Sequence, residues 1–309
     1  MDILTHGMSG LLTGRAVTRS FGKATVAASV IGALAPDLDL LAVVGDPLAS
    51  LTVHRLATHS LAGGGALALA TGGLVRLVAG GSLWRLVGLA SLGWVSHVLL
   101  DLFTPSGVPL LWPLDERRWT VGSIHLLDPA VTAVIGAGLL GAWWWQPGWR
   151  PARASLVGLL GYLAVSVAVM NGVEARWARA LGERGVPISR LAVVPAFPGP
   201  LRWLGVAEGP SGILLARFWA WDVHASGAAL FEPEPEEPGL AQLDHHPAVR
   251  SFLSVARFPW RRTVRDGDRV TVEYHELAFE DHPFGGPKVL RLRLSRSGAV
   301  EAVEWGHRL

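Results

Sequence analysis

His97 and Asp101 stand four residues apart in the apolar run that opens the stretch 94–128, WVSHVLLDLFTPSGVPLLWPLDERRWTVGSIHLLD. On a helix that spacing puts both side chains on one face. A neutral imidazole and a carboxylate offered together make two ligands for a divalent metal ion. Ionisable groups are costly to place in a membrane-like apolar segment, and usually mark a function. Further groups of the same chemistry are His6, Asp37, Asp39, His54 and His59. Carboxylate oxygen suits hard divalent cations, and zinc accepts mixed His/Asp sets. Taken alone, His97 and Asp101 read equally well as a hydrogen-bonded pair that locks two helices.

Each remaining candidate also has an ordinary structural reading. Asp37 and Asp39 lie in a Pro-Asp-Leu-Asp turn, where a carboxylate commonly caps a helix end; bound to a metal, one or both would ligate or bridge ions. His54 and His59 are five residues apart, about 140° around a regular helix, so one helix cannot aim both at a single ion. Either His54 belongs to the preceding loop or the two differ in role. Arg55 suits a phosphate or carboxylate, or else snorkels to the membrane interface. Thr58 and Ser60 read as helix-start residues. Asp128 precedes Pro129, a common helix N-terminus, and its functional alternative is to orient a ligating histidine. DHHP at 244–247 reads as a loop before a helix. GxSxG and HExxH are absent, which disfavours serine-hydrolase chemistry and one common zinc motif.

These residues need helices to carry them. The chain has 309 residues, half of them hydrophobic, and no cysteine. Its mean hydropathy is +0.36. Disulfides, thiolate metal sites and cysteine nucleophiles are excluded. The apolar residues concentrate in the first 175, where runs at 3–19, 24–45, 61–79, 83–103, 128–146 and 154–173 approach the roughly 20 residues a bilayer requires. The second run is interrupted at Pro36, where a helix should end. Trp143-Trp144-Trp145 suits a membrane interface. EARWARALGERG continues as a helix off the last run. Residues 187–309 then read as mainly β, with strands at 212–221, 269–279 and 288–295, a turn at Asp266-Gly267 and an amphipathic helix at 247–258. The fold class is therefore an all-α multi-span membrane domain, residues 1–175, followed by a mainly β (α+β) soluble domain, residues 187–309.

If every span crosses, the turns at 15–23, 76–85 and 147–153 share one side. They carry Arg15, Arg19, Lys23, Arg76, Arg85, Arg150 and Arg153 and no acidic residue. The positive-inside rule makes that side cytoplasmic, and puts the His/Asp groups and the C-terminal domain on the other. The formal charge of +2 gives no indication of general nucleic-acid binding.

Five motifs occur in order: Asp2, Thr5 and His6 in MDxxTH; Pro36, Asp37 and Asp39 in PDLD; His54, Arg55, Thr58, His59 and Ser60 in HRxxTHS; His97 and Asp101 in HxxxD; and Leu111 to Asp128 in LLWP…DERRW…D. Through them residues 1–175 resemble the bacterial inner-membrane YdjM-like family of metal-dependent hydrolases, some of them LexA-regulated. More distantly, the helical core resembles zinc-dependent phospholipase C. The resemblance implies a metal-site set of His6, Asp37, Asp39, His54, His59, His97 and Asp101, with zinc first among divalent metals. A metal-activated water would attack a phosphate or lipid-linked ester, with Asp37 or Asp39 as general base and Arg55 steadying an anionic substrate. Membrane lipids are the expected surroundings; the partner of the C-terminal domain is not specified. The rival functions are a transporter or ion pathway using the same His/Asp groups, and a non-catalytic scaffold stabilised by metal.

Overall fold

The computed structural model describes every residue except 20–21, 225, 236, 238, 268, 280–287, 297 and 308–309. His282 lies outside the described residues. The chain divides into two compact units, Met1–Val44 with Val53–Ala168, and Gly45–Thr52 with Val169–Leu309. The division falls inside a helix, earlier than the 175–187 junction expected from composition.

The first unit is helical: α1 (Ile3–Val17), α2 (Lys23–Leu34), a 3₁₀ segment (Ala35–Val43), the end of α3 (Pro47–Val53), α4 (Leu61–Ala79), α5 (Leu83–Phe103), α6 (Pro129–Trp144) and most of α7 (Trp149–Gly182). Local chemistry sets the ends. Asp2 caps α1 through Thr5 N, Ser60 caps α4 through Gly63 N, and Asp128 caps α6 ahead of Pro129. Pro36 follows the end of α2 as expected, and the chain tightens into the 3₁₀ turns that carry Asp37 and Asp39. Lys23–Val43, Leu61–Ala79, Leu83–Phe103 and Trp149–Gly182 are long and apolar enough to cross a membrane. The other two expected spans are shorter, α1 at 15 residues and α6 at 16. At 1.5 Å per residue neither spans the roughly 30 Å hydrocarbon core upright.

Glycine lets these helices meet backbone to backbone. A Cβ on Gly93 of α5 would lie 2.2 Å from Ser29 O of α2, and one on Gly32 of α2 would lie 2.3 Å from Ala90 O of α5. Gly10 of α1 meets α2 in the same way, 2.6 Å from Ser29 O. Small residues at helix contacts are how lipid-embedded helices gain van der Waals packing. Polar pairs add to it, with Ser9 Oγ 3.1 Å from Ser96 Oγ and Thr5 Oγ1 2.9 Å from Thr132 Oγ1.

The second unit holds the end of α7 and two four-stranded antiparallel meanders. The first runs β1 (Arg190–Pro195), β2 (Arg202–Gly209), β3 (Gly212–Trp219), β4 (Ala229–Phe231). The second runs β5 (Pro259–Asp266), β6 (Arg269–Glu276), β7 (Lys288–Leu294), β8 (Val300–His307). α8 (Pro247–Val255) packs on the second sheet through Val249 and Phe252, and His246 is its cap, the structural role expected of DHHP. The expected strand 269–279 ends at Glu276, because Leu277–Phe279 turn into a 3₁₀ segment. Both faces of the first sheet are covered. Val193, Trp203, Ala207 and Phe218 face Val173, Trp177 and Leu181 of α7, while Val194, Leu204, Val206 and Leu215 face Phe258 and Leu277. That packing is why the last turns of α7 belong to this unit.

Candidate metal centre

Five of the seven expected ligands converge at one place in the first unit. His59, in the turn before α4, and His97, on α5, bring their Nε2 atoms to 3.0 Å. Asp101 Oδ2 is 3.4 Å from His59 Nε2 and 3.5 Å from His97 Nε2. Asp37 Oδ1, from the 3₁₀ segment, is 3.7 Å and 3.6 Å from the same two nitrogens. His6 of α1 stacks on the His97 ring at 3.6 Å between centroids, with its Nε2 3.4 Å from Asp101 Oδ1. His6, His59, His97 and Asp101 are fully buried, and only the Asp37 side chain is partly open, 12% exposed.

The hydrogen bonds behind these atoms determine which ring nitrogens face inward. His97 Nδ1 donates to Ala33 O at 2.7 Å, across the α2–α5 contact made close by Gly32 and Gly93. Its Nε2 therefore carries the lone pair. Thr58 Oγ1 donates to Asp39 Oδ2 at 2.6 Å, which leaves it to accept from His59 Nδ1 at 3.0 Å. His59 Nε2 thus also presents a lone pair. Burial pushes the His59 pKa down to about 4, partly opposed by Asp101, so the ring is neutral at physiological pH.

Asp101 divides its two oxygens. Oδ1 accepts from Arg55 Nη2 at 3.1 Å and also meets the Met1 amino nitrogen. Oδ2 faces the two histidines with no hydrogen-bond donor, and both His6 nitrogens are likewise buried without a hydrogen-bond partner. Buried polar atoms are ordinarily satisfied, so three orphans around one point ask for an explanation. His6, Asp37 and His97 form one donor group able to hold a metal ion, and His59, His97 and Asp101 form another.

Asp39 and His54 sit one layer back. His54 Nδ1 is 2.7 Å from Asp39 Oδ1, and Asp39 Oδ2 accepts from Arg55 N at 3.0 Å as well as from Thr58. Asp39 thereby orients His59 through Thr58, with His59 Nδ1 itself 3.9 Å away. His54 lies in the loop before His59, so the five-residue spacing involves no shared helix. Arg55, with φ of 64°, turns its buried guanidinium onto Asp101. Asp128 is committed elsewhere: Oδ1 accepts from Ala130 N and Val131 N, and Oδ2 from Tyr162.

Three contributors escaped sequence reasoning. Ala33 acts through its carbonyl, which no residue type reveals. Thr58 bridges Asp39 and His59, and its position directly before His59 was the available signal. Arg118 reaches the site from the 104–128 loop, with Nη2 3.2 Å from His54 O. Burial, then the neighbouring Arg55, lowers its pKa.

No solved structure matches this chain. The inner membrane proteins YdjM of Escherichia coli (strain K12) and of Shigella flexneri are each 37% identical to it over 107 residues, covering 30% of this chain and 50% of theirs. The chain thus spans about half the length of these curated relatives. The family model for the YdjM inner membrane protein matches residues 1–174, over half of the chain and all of the residues just described. The chain belongs to the YdjM inner membrane protein family, and the four long apolar helices among the described residues fit that family's inner-membrane location.

Proposed function

We propose that this protein is a membrane-bound, metal-dependent hydrolase whose ion is held by His59 Nε2, His97 Nε2, Asp101 Oδ2 and Asp37 Oδ1. One observation carries the reading: two imidazole Nε2 atoms, on rings whose Nδ1 atoms are already committed, face each other across 3.0 Å beside a buried carboxylate oxygen that lacks a donor. Without a cation the lone pairs repel, and an unsatisfied buried polar atom costs roughly 1–3 kcal/mol. The donors suit the ion in spacing as well. Zinc bonds of about 2.0–2.1 Å give tetrahedron edges near 3.3 Å, and the two imidazole nitrogens lie 3.0 Å from each other and 3.4 to 3.7 Å from each of the two carboxylate oxygens.

A bound divalent ion, zinc first for this donor set, would supply Lewis acidity and a more acidic water. The chain's own groups do the rest. Ala33 O and the Thr58–Asp39 pair hold the two imidazoles in the ligating tautomer. Arg55 occupies Asp101 Oδ1 and leaves Oδ2 to face the two histidines. Asp37, the most open of the four, accepts the proton of the attacking water on its second oxygen. Asp39, with both oxygens engaged, positions His59 instead. Arg55 and Arg118 give the site positive charge for an anionic substrate. The substrate class that suits a site at the membrane surface is a phosphate or other lipid-linked ester.

In this reading the helical segments pass the membrane several times. The site and the second unit lie on the extracytoplasmic side, opposite the Arg- and Lys-rich turns. The test is turnover by detergent-purified protein on phospholipids, lipid-linked esters and soluble phosphodiesters. Activity abolished by chelator, restored by zinc and missing in Asp37→Asn is expected. Absence of metal-dependent turnover on every panel would remove the hydrolase assignment.

A further inference from the structure

Trp219 and Trp221 stack with ring centroids 5.1 Å apart, yet they remain 44% and 64% exposed. Leu201, 52% exposed, joins them, because Ala220 N donates to Leu201 O at 2.7 Å between the two tryptophans. Nothing in the metal centre uses this patch. An exposed apolar cluster of this kind marks an interaction surface, and indole rings favour positions with one wet and one apolar side.

Where the patch lies along α7 indicates its partner. No charged residue occurs between Arg153 and Glu174, so the part of α7 able to sit in hydrocarbon ends just before Glu174. The first sheet packs on the turns around that limit, since Val169, Met170, Val173, Trp177 and Leu181 share one apolar cluster with Trp203, Phe218 and Ala220. The strands run along α7 in a defined sense. β2 crosses Trp177 at Gly205, where a Cβ would be 2.9 Å from the indole. The Gly209 end packs against the segment that follows the helix C-terminus, where a Cβ would be 2.2 Å from Pro187 O. The opposite end, where Arg202 pairs with Trp219, therefore points back toward Val169. From Gly205 to Arg202 is about 10 Å of strand, and from Trp177 to Val169 about 12 Å of helix. The two tryptophans thus stand within about 8 Å of the level at which α7 leaves the apolar phase.

We propose that Trp219, Trp221 and Leu201 form a membrane-interface anchor that seats the first sheet of the C-terminal unit on the lipid headgroup layer. The proposal rests on α7 spanning the bilayer. Aromatic belts occupy the same layer in membrane proteins generally.

The absence of cysteine allows a direct test in the full chain. Trp221→Cys and Leu201→Cys would each carry one environment-sensitive fluorophore, in vesicles of phosphatidylethanolamine and phosphatidylglycerol. Ser211→Cys, at the β2–β3 turn, reports the far end of the sheet, and Leu160→Cys reports the apolar run of α7. The expected result is blue-shifted emission at 221 and 201, quenched severalfold more strongly by lipid bearing a nitroxide near its headgroup than the label at 211. Aqueous emission at 221 and 201 with lipid-exposed 160 overturns the anchor and leaves the span intact. Aqueous emission at 160 as well overturns both. Blue-shifted labels at 221 and 201 that nitroxide lipid does not quench mean a protein contact instead, and also overturn the anchor.

Discussion

Two buried carboxylates, one in each unit, are treated in opposite ways. Glu276, at the end of β6, accepts backbone N–H bonds from Ala278 at 2.9 Å, from Phe258 at 3.1 Å and from Arg257. Every oxygen is used, and the carboxylate ties the β5 entry to the turn after β6. Asp101 has one oxygen held by Arg55, and the other is left open toward two imidazole lone pairs. Burial alone therefore does not mark function. Burial with a convergent, unfilled valence does, because ordinary packing would have satisfied or removed that atom.

Three changes would break or sharpen this contrast. The largest effect belongs to Gly93→Val, since the new side chain meets Ser29 O and forces α2 from α5, breaking the Ala33–His97 hydrogen bond. Zinc affinity, measured by competition with a chromophoric chelator, should fall about 100-fold, the upper range for losing a partner behind a ligand. Unchanged affinity would mean the carbonyl does not orient His97. Next is Glu276→Gln, which sets an N–H against backbone N–H donors. Denaturant titration should show a loss of about 2 kcal/mol, with metal content unchanged. A fall in metal content would erase the distinction between the two carboxylates.

The most gradual effect is in pH. In the metal-free protein His59 is held at about 4, below the usual 6.5. The unfolded chain then takes up a proton first, and stability is lost as pH falls from 6.5 toward 4, by about 1 kcal/mol per unit. Glu276 is shifted upward by burial, so it binds its proton more readily when folded and works in the opposite direction as the pH falls through its folded value. Chemical denaturation of wild type, His59→Gln and Glu276→Gln across that range separates the two. A His59→Gln profile identical to wild type would contradict the assignment.

The helical unit was largely legible in the sequence and the sheets only in part, at β3, β6 and β7, for a physical reason. Long apolar runs with Ser60 and Pro36 at their ends announce helices directly, and α4 and α5 fall on the expected 61–79 and 83–103. β7 was visible because Arg291 and Arg293 alternate with buried Leu290, Leu292 and Leu294, which share one covered face. β1 and β2 pack on both faces, so Trp203, Leu204, Val206 and Ala207 are all buried and no period of two appears. At the site, residue types gave the set of His and Asp groups. Which of them meet, and which stand behind, depended on Ala33 O and Thr58, and so on close helix approach that composition does not encode.

The most direct test of the central claim is elemental analysis of detergent-purified protein, comparing wild type with His97→Ala/Asp101→Asn. The account predicts one or more stoichiometric divalent ions, zinc foremost, in the wild type, and their loss from a double variant that remains monodisperse and helical. Wild-type protein that contains no metal and cannot be loaded with added zinc or manganese would contradict it, and would leave the His/Asp cluster without an ion to hold.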